Sequence, residues 1–211
     1  MTVSIAPTIR APVPVSRPPA HTVAQRHMTR VAETLQRVPA EPLNRAIDLL
    51  LAARTAGRRV WVIGNGGSAA LASHLVCDLT KTAAQDGGRP LRSFALTDNV
   101  PLLSAWANDT AYERVFAAQI EALVDRDDVV IAISSSGKSP NIVAAVRSAQ
   151  ACGAQVIGLI GFQGGDTRDL ADVAIHVPAN DYGVVEDVHA AVGHALAAAL
   201  RSIPTEVPIE R

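Results

Sequence analysis

The feature that most constrains this chain is a change of rhythm at residue 59. From there, short runs of β-branched and apolar residues alternate with longer alanine-rich stretches of helical period. The runs RVWVI (59–63), RSFAL (92–96), DVVIAI (128–133), QVIGLI (155–160) and VAIHV (173–177) are nearly continuous in apolar residues, as strands buried on both faces are. Helical patterns fit the intervals 67–82, 99–107, 112–124, 140–152 and 184–202. Strands that alternate with helices make parallel sheets covered on both sides. The sequence therefore predicts one α/β domain, a doubly wound five-stranded parallel sheet flanked by helices.

Ahead of the first strand, Val23, Met28, Val31, Leu35 and Val38 suit one face of a helix over about 22–38. Pro39 and Pro42 break it, and LNRAIDLLLAARTA forms a second helix ending near Gly57, completing a helical hairpin. The first 21 residues hold five prolines and no periodicity, and read as a disordered tail. A single domain is expected over 22–205, with 206–211 as a second tail and no internal repeat.

Composition closes several doors. The formal net charge is -1, so no general field draws the chain to nucleic acid or to an anionic membrane, and any anion must be held locally. No apolar run approaches the roughly 18 residues of a membrane span, and the N-terminus lacks the apolar centre of a signal peptide. Two cysteines, Cys77 and Cys152, make no disulfide framework. A cytoplasmic protein is expected.

Ligands of doubly wound sheets bind beyond the carboxyl ends of the strands, and three loops there carry chemistry. The first is Gly64-Asn65-Gly66-Gly67-Ser68, where glycines permit a tight turn and helix-opening amides suit an anion. Gly64-x-Gly66-x-x-Ala69 loosely matches a dinucleotide fingerprint, but Asp86 precedes the second strand and Asp98 lies 29 residues beyond Ala69, so the nicotinamide reading is disfavoured. The second loop is ISSSGKSPN (133–141). Ser134, Ser135, Ser136 and Ser139, with the amides around Gly137, make a neutral cradle for a phosphate. Gly137-Lys138-Ser139 also resembles the end of a P-loop, but the glycine required five positions earlier is Ala132. The third contains Asn108-Asp109, placed either to orient sugar hydroxyls or to cap a helix beginning near Ala111.

His74 and Asp78 are four residues apart and share one helix face. In the last helix Glu186 and His194 are eight apart, about two turns along and within roughly 80° of each other. Two histidines and two carboxylates on two helices suit zinc or a similar divalent ion. His189 shares the stripe of Glu186, as a ligand or only as a neighbour; His21, His27 and His176 read as ordinary surface or core residues.

Taken in order, the Gly64–Ser68 loop, His74, Asn108-Asp109, Ser134–Ser139 and the acid-and-histidine helix resemble the sugar isomerase (SIS) domain family, and within it the bacterial phosphoheptose isomerases. The resemblance runs from about residue 22 to 202. It implies a flavodoxin-like fold and an aldose–ketose isomerase acting through an enediol on sedoheptulose 7-phosphate. It places substrate among Asn65, Gly66, Gly67, Ser68, Asn108, Asp109, Ser134, Ser135, Ser136 and Ser139, with the serines on the phosphate. It places a divalent metal, zinc by the same resemblance, on His74, Asp78, Glu186 and His194, with Asp78 as base and His194 as second acid/base. It also implies a homotetramer with active sites between subunits. The chain departs from the family pattern at Asp78 (Glu there), Glu186 (Gln) and Lys138 (Asn), which leaves the base open between Asp78 and Glu186. Another phosphosugar, or a non-catalytic protein that binds sugar phosphate or a replication initiator, are the alternatives.

Overall fold

The structure, a computed structural model, describes residues 18–84 and 89–203. Most of the expected N-terminal tail, all of the C-terminal one, and Asp86 lie outside the described residues. Five strands, β1 (Arg59–Gly64), β2 (Arg92–Ala95), β3 (Val129–Ser134), β4 (Gln155–Ile160) and β5 (Val173–His176), form one parallel sheet in the order β2-β1-β3-β4-β5. Around it run α1 (Ala20–Leu35), α2 (Ala40–Ala56), α3 (Gly67–Cys77), α4 (Val100–Asp109), α5 (Ala117–Leu123), α6 (Pro140–Ala151), α7 (Gly165–Leu170) and α8 (Tyr182–Ser202).

Alternate side chains of the central strands β1, β3 and β4 enter two cores. Val60, Val62, Ile131, Ile133, Ile157 and Leu159 face one, which α2, α3 and α8 close. Trp61, Ile63, Val130, Ala132 and Val156 face the other, which α5 and α6 close. Both faces of β1, β3 and β4 are covered, so polar alternation has no place in them, whereas the edge strand β2 leaves Phe94 45% exposed. A side chain such as Ile131, with 0% exposure, contributes about 1.5–3 kcal/mol by leaving water.

All five expected strands are present, within a residue or so of their expected limits; the helices need five corrections. α1 starts at Ala20, inside the expected tail. α2 starts at Ala40 and includes Pro42, whose missing N–H falls in a first turn with no intrahelical partner to lose. The helix expected over 67–82 ends as α at Cys77 and continues as a π-helical turn, Asp78–Thr82, closed by the Ala83 amide on the Asp78 carbonyl at 2.7 Å. The helix expected over 112–124 is a 3₁₀ turn, Tyr112–Arg114, followed by α5. α7 is additional; six residues in a Gly-Gly-Asp context give periodicity too little length to register.

β1 and β3 lie side by side with Gly64 opposite Ile133. The chain leaves β1 toward β2 on one side and leaves β3 toward β4 on the other. A crevice must open where the connections diverge, between the carboxyl ends of β1 and β3. The glycine loop and the serine loop therefore face each other. α8 crosses above them, its far end fastened by Arg54, which is 4% exposed and donates to the carbonyls of Leu200 and Ile203 at 2.9 Å each.

Candidate active site

The serine loop is built as a closed network. Gly137 has φ +65°, and a Cβ there would stand 1.7 Å from the Gly164 carbonyl oxygen, so only glycine lets α7's leading turn approach. The Gly137 carbonyl accepts from the Thr167 amide at 3.1 Å and the Thr167 hydroxyl at 2.9 Å, with Thr167 fully buried. The Gly137 amide donates to Ser134 Oγ at 3.1 Å and the Lys138 amide to Ser136 Oγ at 3.2 Å. Those two amides, expected to face a ligand, are spent inside the loop. The hydroxyls accept them and keep their own protons to donate, so serine O–H groups lead the cradle.

A small cleft of about 130 Å³ opens over this loop, lined by Asn65, Ser68, Ser134, Ser135, Ser136, Ser139, Tyr182 and Glu186. A wider cleft of about 380 Å³ adjoins it, lined by Gly67, Ser68, His74, Glu186, His189 and His194 among others. Ser68 and Glu186 belong to both, so a compact group held at the serines leaves its remainder running past Glu186 toward the histidines. Glu186 lies against Gly67, where a Cβ would meet its Oε2 at 2.7 Å. The bare backbone is what admits the carboxylate.

At the end of the wider cleft His74 and His194 meet Asp78, which with Thr82 and His194 lines an adjoining cleft of about 510 Å³, and one ligand atom from each of the three falls inside a 4.8 Å span. Asp78 Oδ2 is 3.3 Å from His74 Nε2 and 3.0 Å from His194 Nδ1, and the two rings meet edge to face at 5.0 Å. Asp78 Oδ1 accepts from the Thr82 hydroxyl at 3.0 Å, one π-helical turn along. Oδ2 is buried and receives no hydrogen bond of normal geometry from either ring. Two atoms each 2.0–2.1 Å from a tetrahedral zinc stand about 3.4 Å apart, close to both separations. An orphaned carboxylate oxygen between two imidazoles fits a cation between them.

Other expected residues fare differently. Glu186 is not part of the three-residue cluster. Asn108 and Asp109 end α4, exposed, with Asn108 Nδ2 donating to Asp109 Oδ1 at 2.8 Å; they cap no following helix and line neither cleft. Gly66 is the exposed residue before α3, with φ +54°. His189 is fully buried and neither ring nitrogen makes a hydrogen bond. Burial pushes it down to about 4, outweighing an upward pull from the Ile160 carbonyl and joined by a downward push from His176. His27 pairs with Asp187 at 2.7 Å, tying α1 to α8.

Three residues escaped sequence reasoning. Asn141, 2% exposed, pairs reciprocally with Asn65, and the Tyr112 hydroxyl donates to Asn65 Oδ1 at 3.1 Å. Thr167 braces Gly137. Asn141 stood in the quoted serine loop, where a polar residue on the buried side of a helix start was the available signal. Tyr112 and Thr167 gave none, since their partners are 47 and 30 residues away.

A family model described as the SIS domain matches residues 25–161, a span ending before α8. The chain is 40% identical over 153 residues to a phosphoheptose isomerase of Burkholderia pseudomallei, covering 72% of this chain and 77% of that protein. It is 37% identical over 172 residues to the phosphoheptose isomerase of Aliarcobacter butzleri, covering 82% and 88%. Among solved structures, a phosphoheptose isomerase from Neisseria gonorrhoeae superposes with TM-score 0.79 at 29% identity, covering 87% of this chain and 98% of that one. One from Francisella tularensis does so with TM-score 0.79 at 27% identity, covering 87% and 96%.

Proposed function

The chain belongs to the SIS domain family, and from that premise we propose that it is a phosphoheptose isomerase, interconverting sedoheptulose 7-phosphate and D-glycero-D-manno-heptose 7-phosphate. The observation that carries the reading is the position of Glu186, a carboxylate on the wall shared by the serine cradle and the histidine cleft.

The serine hydroxyls hold the phosphate, far from the reacting carbons, and that remote grip orients C1 and C2 in the wider cleft. Moving the carbonyl from C2 to C1 requires a base to take a proton from C1, giving an enediol, and to return it at C2. Glu186 is assigned that step, because it accepts no hydrogen bond from the described residues while Asp78 accepts from Thr82 and lies between the two candidate metal-binding histidines. His194 moves the proton between the two oxygens through Nε2, since its Nδ1 faces Asp78 Oδ2 at 3.0 Å. A divalent metal, zinc by the chemistry of the donor set, would be held by His74, Asp78 and His194, and bound there it would polarise the carbonyl and stabilise developing negative charge.

A cytoplasmic homotetramer belongs to the same reading. α1 buries only Thr34 and leaves Val23, Met28 and Leu35 exposed, as an assembly helix does, and no described helix is long and apolar enough to cross a membrane. Light scattering coupled to gel filtration reads the subunit number.

The deciding experiment is turnover of sedoheptulose 7-phosphate by the purified protein, as prepared, after chelation, and with zinc restored. Turnover that chelation lowers and zinc restores supports both parts of the reading. Zinc also raises the melting temperature by binding only the folded chain, and His74→Ala removes that rise. Binding of the sugar phosphate without turnover would overturn the isomerase assignment.

A further inference from the structure

Asn141 is the second residue of α6, almost wholly buried, and its carboxamide nitrogen and oxygen both pair with one neighbour. Its Nδ2 donates to Asn65 Oδ1 at 2.8 Å, and Asn65 Nδ2 donates back to Asn141 Oδ1 at 2.9 Å. The Tyr112 hydroxyl donates to the same Asn65 Oδ1 at 3.1 Å. Three segments meet here: the loop after β1, the start of the helix after β3, and the turn after α4. The knot sits across the crevice where β1 and β3 diverge.

Counting hydrogen-bonding capacity shows what the knot does. A carboxamide has two N–H donors and two acceptor sites on its oxygen. Asn65 has both acceptor sites filled and one donor used. One N–H remains, on a residue that lines the small cleft with the four serines. An unheld Asn65 amide would rotate freely, offering oxygen or nitrogen to the cleft alike. Rotating Asn65 alone inside this knot sets N–H against N–H and leaves Asn141 unpaired in the interior, which is costly.

We propose that Asn141 is a positioning residue. With Tyr112 it fixes the Asn65 carboxamide so that its one unspent N–H is a standing donor to a sugar oxygen of the substrate, beside the phosphate. The inference rests on the sugar-phosphate reading above and concerns recognition of the sugar. The phosphate stays with the serines.

The test is calorimetric titration of the full chain with sedoheptulose 7-phosphate and, separately, with inorganic phosphate. Asn65→Ala and Asn141→Ala are each expected to weaken the sugar phosphate about tenfold, the scale of one hydrogen bond, and to leave inorganic phosphate within about twofold. Because Asn141 acts through Asn65, the double variant binds no more weakly than Asn65→Ala alone. A double variant weaker by the product of the two losses, about a hundredfold, would overturn the proposal, as would equal losses toward inorganic phosphate. Tyr112→Phe covers the case in which Asn141→Ala fails to fold, since Tyr112 is 56% exposed. It is expected to weaken the sugar phosphate about threefold, and an undiminished effect in the Asn65→Ala background sinks the inference. Unsubstituted protein that takes inorganic phosphate but not sedoheptulose 7-phosphate overturns the functional reading and the inference together. Failure in the variants alone overturns only the inference.

Discussion

At the serine loop, the polar groups around the turn find partners within the chain; at the His74–Asp78–His194 cluster, the central oxygen finds none. The Gly137 amide donates to Ser134 and its carbonyl accepts from Thr167, the Lys138 amide donates to Ser136, and the loop stands finished before any ligand arrives. Asp78 Oδ2 sits buried between two imidazoles without a normal hydrogen bond. The first arrangement suits a group that must be gripped identically throughout a reaction. The second waits for a positive charge from outside, such as a metal ion. On the proposed function, binding and chemistry are separated across adjoining clefts, with Glu186 at the boundary.

The largest expected effect falls on the unfinished half. Glu186→Gln and His194→Ala each lower kcat/KM for sedoheptulose 7-phosphate by about 10²- to 10⁴-fold, the range for losing a positioned acid or base. Inhibition by inorganic phosphate stays within about twofold. Steady-state kinetics with phosphate as a competitor measures both, and a parallel loss of phosphate affinity would dissolve the division. Asp78→Asn, set beside Glu186→Gln, separates base from ligand. It is expected to abolish the zinc-dependent rise in melting temperature, whereas Glu186→Gln leaves that rise in place.

His189 extends the contrast below the surface, since it too is polar and unpartnered, but buried on α8. Its folded value is about 4 against an ordinary 6.5, so between those pH values the unfolded chain binds the extra proton. Stability is therefore complete above pH 6.5 and falls as pH drops toward 4, by about 3 kcal/mol from this group. Urea unfolding at pH 7.5, 6, 5 and 4.5 reads the slope, and His189→Leu is expected to flatten it. An unchanged slope in the variant would move the acid sensitivity elsewhere.

The finished half yields smaller numbers. Ser136→Ala and Ser139→Ala each raise KM about tenfold with kcat nearly unchanged, because a phosphate grip that does not change along the reaction is uniform binding. A fall in kcat of similar size would mean that the loop tightens in the transition state, and the division would then sharpen into one of timing.

What was legible in the sequence follows from how far each signal reaches. The sheet was legible because both faces of its central strands are covered, so RVWVI and DVVIAI are nearly continuous in apolar residues, and the order of loops then placed Gly64–Ser68 and Ser134–Ser139 at one crevice. His74, Asp78 and His194 were legible through helical spacing and through the family resemblance. Glu186 was foreseen as a ligand and as a base candidate, and stands between two clefts instead of within the three-residue cluster. Tyr112 and Thr167 were not legible, and Asn141 only as a polar residue at a helix start, for their roles rest on partners dozens of residues away that only the folded sheet brings near. The π-helical turn was missed because its period differs from an α-helix by too little over five residues.

Thr167 gives the finest test of the finished half. Its hydroxyl and amide both reach the Gly137 carbonyl, so Thr167→Val keeps the shape and the amide bond and removes one donor from an oxygen that still has another. The expected cost is therefore near the low end for a buried hydrogen bond, about 1 kcal/mol, read as a lowered urea midpoint at unchanged m-value. Thr167→Ser restores the donor and should recover most of the affinity for inorganic phosphate, though it leaves a methyl-sized gap in a fully buried site. If stability falls in Thr167→Val while phosphate affinity holds, the brace is a matter of folding alone. If affinity falls with it and returns in Thr167→Ser, the loop's readiness for phosphate is set from α7, across the turn that only Gly137 permits.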